Sequence, residues 1–125
     1  MKPLHKFGAR IMAAFLLSSS AHADWPSWRG ADDNGSVASG EFPIALNEAA
    51  TVWKADLPGK GCSPPIVWKD QILVTAPVDG KDAVLAFDKS GAARWQAVFE
   101  KETKGKHRNG SGCNASPITD GSGVF

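Results

Sequence analysis

Between Pro65 and Phe99 the chain breaks into short apolar runs whose connections of two to six residues centre on turn formers, and this spacing constrains the fold more than any other feature. The runs are Pro65-Ile66-Val67-Trp68, Gln71 to Ala76, Ala83 to Phe87 and Arg94 to Phe99; Lys69-Asp70, Val78-Asp79-Gly80-Lys81 and Lys89-Ser90-Gly91 separate them. Such connections suit antiparallel hairpins. No stretch after residue 50 keeps helical apolar spacing long enough to form a helix of more than two turns. The expected fold class is all-β, with a four-stranded antiparallel meander at its centre.

Both faces of the inner strands are apolar. Ile72 and Val74 lie opposite Leu73, and Ala83, Leu85 and Phe87 lie opposite Val84 and Ala86. A sheet wetted on one side would alternate with polar residues, so these strands should be covered on both faces. A β-propeller gives that cover by packing each four-stranded blade between neighbours. An internal repeat points the same way. Trp53 leads after nine residues to Cys62 in Gly61-Cys62 and then Pro65-Ile66; Trp95 leads after eighteen to Cys113 in Gly112-Cys113 and then Pro117-Ile118. A closing-strand Trp passing into the first strand of the next unit is how blades are joined. The sequence therefore predicts a closing-type strand over 51–55, a blade over 65–99 and the start of the next blade over 113–125. One blade cannot bury a propeller core, so the expectation is an N-terminal piece of a longer protein.

Residues 24–50 are rich in turn formers and poor in periodic apolar positions, and they read as an N-terminal arm with Trp25, Trp28 and Phe42 as anchors. Before them, Lys2, Lys6 and Arg10 precede a seven-residue apolar run, Ile11 to Leu17, and then three serines and Ala21-His22-Ala23. This is the order of a secretory signal peptide, expected to span 1–23 and to be cleaved before Asp24. The apolar run is far shorter than the ~20 residues of a membrane-spanning helix, and no Cys at the cleavage point offers a lipid anchor. No membrane span is expected, and the localisation implied is export to the periplasm or the extracellular space.

Removing residues 1–23 leaves 11 basic and 13 acidic side chains. That balance gives no basis for nucleic acid as a partner. Cys62 and Cys113 would travel to an oxidising compartment, where disulfides persist. A bond between them would contribute roughly 4 kcal/mol by restricting the unfolded chain. The competing reading is two small buried side chains at equivalent repeat positions. Because each cysteine precedes a first strand, both should lie at one end of the fold.

Three stretches carry a family resemblance. Ala86-Phe87-Asp88-Lys89-Ser90-Gly91-Ala92-Ala93-Arg94-Trp95 resembles the blade motif of pyrroloquinoline-quinone-like (quinoprotein-like) β-propellers, one residue shorter than usual and with Ser90 in place of the commoner Thr. Trp25-Pro26-Ser27-Trp28-Arg29-Gly30 is similar to the opening of exported bacterial members. Leu57-Pro58-Gly59-Lys60-Gly61-Cys62-Ser63-Pro64-Pro65 matches a segment that follows in them. In the blade motif Ala86, Asp88, Gly91 and Trp95 have mechanical uses: Asp88 can accept hydrogen bonds from the turn's amides, Gly91 can take positive φ, and Trp95 can fill the space between sheets.

The resemblance implies an exported, non-catalytic propeller module serving as a binding or scaffolding surface in the bacterial envelope, its partner an unknown protein or envelope ligand. One alternative is the N-terminal part of a quinone-dependent alcohol or sugar dehydrogenase, for which PQQ and calcium would be the cofactors. A second is the propeller subunit of the outer-membrane protein assembly machinery. The enzyme question stays open and weighs toward no for these residues: the cysteines are 51 positions apart, not adjacent, and no acid-rich calcium loop is present. No catalytic, cofactor-binding or metal-ligating residue is assigned. His107, the one histidine after residue 23, lacks the partners of a zinc site or a G-x-S-x-G elbow. With Lys104, Lys106 and Arg108 it lies in the longer Trp-to-Cys connection, a solvated loop or, on the functional reading, a loop that meets a partner.

Overall fold

The computed structural model describes residues 24–40, 42, 44–45, 47–101, 107–108 and 110–125. The proposed signal segment, Lys104 and Lys106 lie outside the described residues.

Four strands form one antiparallel sheet in chain order: β1 (Ile66–Trp68), β2 (Gln71–Thr75), β3 (Lys81–Asp88) and β4 (Ala93–Lys101). Each turn follows from its residues. Asp79 and Gly80 both hold positive φ (50° and 71°), the two-residue geometry whose twist matches antiparallel strands, and Val78 and Lys81 exchange both backbone hydrogen bonds across it. Between β3 and β4, Gly91 takes φ 84° and its amide donates to Asp88 O at 2.9 Å. An added Cβ at Gly91 would sit 2.7 Å from the Trp53 ring, so both backbone and packing demand glycine there.

The register sorts the core into two faces. Val74, Ala76, Ala83 and Leu85 form one buried cluster, extended by Val78 and Phe87; Ile66, Leu73 and Ala86 form the other. Irregular segments of the chain cover both. On the first face Trp53 stacks on Phe87, with ring centroids 6.4 Å apart, and donates its indole N–H to Lys89 O at 2.9 Å. Gly59 and Gly61 pass close to Pro77 and Thr75 O on the way back to β1. On the second face Cys113 Sγ donates to Asp82 Oδ1 at 3.2 Å, and Gly121 packs on the Trp68 ring. This cover thins at β4, where Trp95, Val98 and Phe99 are 41%, 41% and 60% exposed.

Two expectations are corrected. Residues 51–55 make no strand; the segment crosses the β3–β4 turn, where Trp53 is held by Lys89 and Phe87, and its backbone meets no ladder partner. In the arm, Trp25 alone of the three expected anchors is half-buried, while Trp28 and Phe42 are 65% and 64% exposed. The reason for Trp28 is its place inside a turn closed by Gly30 N on Ser27 O, which points its ring outward. The longest helical element among the described residues is one 3-10 turn, Glu48–Ala50, capped by Asn47, whose side chain accepts from Ala50 N. No helix among them is long and apolar enough to cross a membrane.

Candidate functional site

The loops gather at two ends of the sheet. At the end where β2 stops, Thr75 is the hub. Its amide donates to Ser63 Oγ at 3.4 Å, and its hydroxyl lies 3.3 Å from Cys113 O and 2.9 Å from Ala115 O. Ser116 Oγ adds a donation to Pro64 O at 2.6 Å, and Lys60 Nζ one to Arg108 O at 2.5 Å. Thus the loop before β1 and the loop after β4 are tied to each other and to one strand end. The two cysteine loops share this end. Cys62 is exposed, Cys113 is buried, and both are thiols. A tight turn, Ser111 N to Asn114 Oδ1 and Cys113 N to Ser111 Oγ, carries Cys113.

Above this end the N-terminal arm forms a hydrogen-bonded turn. Trp25 exchanges both backbone hydrogen bonds with Val67 of β1, at 2.7 and 3.0 Å, and Pro26 O accepts from Thr119 N at 3.0 Å. The arm therefore bridges the sheet edge to the 118–125 segment. Ser27 Oγ donates to Gly30 O, and Gly35 N donates to Arg29 O. Gly30 holds φ 80°, and a Cβ there would press to 2.7 Å of the Trp25 ring. These contacts leave Trp28 and Arg29 outward. Trp28, Pro64, Asn114 and Ser116 line an open recess of about 470 Å³.

The opposite end carries the blade motif. Ala86 is buried at 1% exposure, with Leu73 and Trp95 as its cross-strand partners. Asp88 Oδ1 accepts from Ser90 N, Ser90 Oγ and Ala92 N. These bonds, the Ser90 hydroxyl first, hold its carboxyl below the ordinary carboxylate value, with Arg94 contributing at 3.7 Å. Trp95 lies over the sheet and donates Nε1–H to Gln71 Oε1 at 2.6 Å; the indole packed against Gly91 is Trp53. A cleft of about 200 Å³ runs between Trp68, Gln71 and Trp95 on the sheet and Gly121 and Ser122 beyond it.

The sequence reading missed a second copy of the Asp88 turn. Asp120 Oδ1 accepts from Ser122 N, Ser122 Oγ and Gly123 N, and its carboxyl is likewise lowered, the Ser122 hydroxyl leading. The signal was present as Asp-x-Ser-Gly at both 88–91 and 120–123. It also missed Thr75, Asp82 and Lys60, whose roles depend on contacts between residues far apart in sequence. Of the predicted basic loop, His107 and Arg108 are exposed, and Arg108 reaches the site through its backbone carbonyl. No group of three or more His, Cys, Asp or Glu able to hold a metal ion occurs among the described residues. Comparison with protein-family models, curated proteins and solved structures finds no match for the chain.

Proposed function

We propose that this chain is part of an exported quinoprotein-like β-propeller whose role is to bind, through the recess around Trp28, an exposed segment of another protein of the bacterial envelope. The carrying observation is Trp28 itself, 65% exposed on a turn closed by Gly30 N on Ser27 O and tied to β1 by the Trp25–Val67 hydrogen bonds. A large ring carried on a hydrogen-bonded turn offers a partner both an apolar face and a donor. Pro64 adds apolar surface, and Asn114 and Ser116 add polar groups at the rim. Support for the propeller comes from the meander, from the repeated Asp turn at 88 and 120, and from the bridge Thr119↔Val124, which begins a second antiparallel pair beside the first sheet.

A photoreactive amino acid at position 28, in protein exported by a bacterial host, should give one predominant adduct with an envelope protein. The same probe at Asp79, on the exposed β2–β3 turn, should give none. Equal adducts at both positions, or none at either, would overturn the binding surface. Addition of PQQ and calcium should leave the quinone absorbance unchanged; a saturable spectral shift would favour the dehydrogenase alternative.

A further inference from the structure

We propose that Cys62 and Cys113 are the attacking and resolving thiols of a redox clasp that staples the loop before β1 to the loop after β4 at one end of the four-stranded sheet. Cys62 stands four residues before β1, and Cys113 follows β4, so a bond between them would enclose all four strands in one covalent loop. The two cysteine-bearing loops are already cross-tied at Thr75, by Ser116 on Pro64 and by Lys60 on Arg108. Neither cysteine lies in a strand of the sheet, so a bond between them, with the Cα separation of less than about 7 Å that a disulfide needs, would interrupt no ladder pairing.

Exposure sets the order of attack. Cys62 is open to solvent, whereas Cys113 is 4% exposed with its Sγ hydrogen-bonded to Asp82. The oxidant is a small disulfide such as oxidised glutathione. Cys62 loses its proton to solvent, and its sulfur attacks one sulfur of that disulfide. The old S–S bond breaks, and one thiolate leaves with the electron pair and takes up a proton. Cys113 then loses its proton and attacks Cys62 Sγ, forming the intramolecular bond and releasing the second small thiol. Two protein thiols are oxidised and one disulfide is reduced to two thiols.

Incubation of the full chain with oxidised glutathione, followed by peptide mapping without reductant, tests this directly. The result expected is a Cys62–Cys113 linked peptide in the monomer, and protein mass lower by two hydrogen atoms. Cys113→Ser should instead accumulate glutathione on Cys62, and Cys62→Ser should stay unmodified under native conditions. The clasp is overturned if wild-type protein carries glutathione on Cys62 with no internal link, if links form only between copies, or if Cys113 is captured in the Cys62→Ser chain. The wild-type map decides the matter even where a variant does not fold.

Discussion

Asp88 and Asp120 each anchor a turn through three hydrogen bonds to one carboxylate oxygen, and this makes the turns sensitive to acid. Both carboxyls are lowered from the ordinary value of 3.8. A lowered folded-state pKa contributes stability that is present above the unfolded value and is lost as pH falls through the folded one. The midpoint of urea unfolding should therefore drop as pH is taken below 3.8, and the Asp88→Asn, Asp120→Asn double variant should show a shallower acid limb. An unchanged limb would show that the two turns are not linked to folding. Glycine separates strain from contact. Gly80 and Gly91 both hold positive φ, yet a Cβ at Gly80 meets nothing within 4 Å, whereas one at Gly91 strikes Trp53. Gly80→Ala should cost about 1–2 kcal/mol from backbone conformation alone. Gly91→Ala should cost more, and the excess should vanish in a Trp53→Ala background, as a double-mutant cycle by chemical denaturation would reveal.

At the scale of the strands, the hairpins were legible because their turns are local. Asp79-Gly80 and Lys89-Ser90-Gly91 specify their geometry within a few residues, and β1 to β3 fall inside the expected 65–99 segment while β4 runs two residues past it to Lys101. The doubly apolar pattern of β3 also read correctly as cover on two faces. What the pattern does not encode is the identity of the cover. Two segments with no regular periodicity supply it: 53–61 on the Phe87 face, and 111–124 on the Trp68 and Asp82 face. Trp53 looked like a closing strand because its neighbours are β-prone, but its partner is a turn carbonyl that no sequence spacing marks. The stability of the sheet should follow burial along it. Ile66→Ala and Leu85→Ala should each cost about 2–5 kcal/mol. Val98→Ala and Phe99→Ala on the open strand should each cost under about 1 kcal/mol, because little transfer from water is lost there. Thermal unfolding of the four variants of the 125-residue chain checks the ranking, and equal losses at Phe99 and Leu85 would show that another part of this same chain covers β4.

For the whole molecule, one open four-stranded sheet with irregular cover is the observed unit, and the propeller is the proposal that gives its open flank a purpose. Trp95 and Phe99 lie on the face where 118–125 begins a second antiparallel pair, joined to β1 through Trp25 and Pro26. A neighbouring blade seated there would bury both rings by the sheet-on-sheet packing that apolar faces require, with sheets about 10 Å apart. The recess at Trp28 would then lie among loops at one end of the propeller. That placement was only half legible: the Trp25–Gly30 motif stood out in the sequence, but its pairing with Val67 and Thr119 spans more than forty residues and left no local trace. The most direct measurement is a crystal structure of the protein purified from its native source. The account predicts a second four-stranded antiparallel sheet, entered through Thr119 and Val124, packed over Trp95 and Phe99; β4 facing solvent, or covered by a helix, would contradict it.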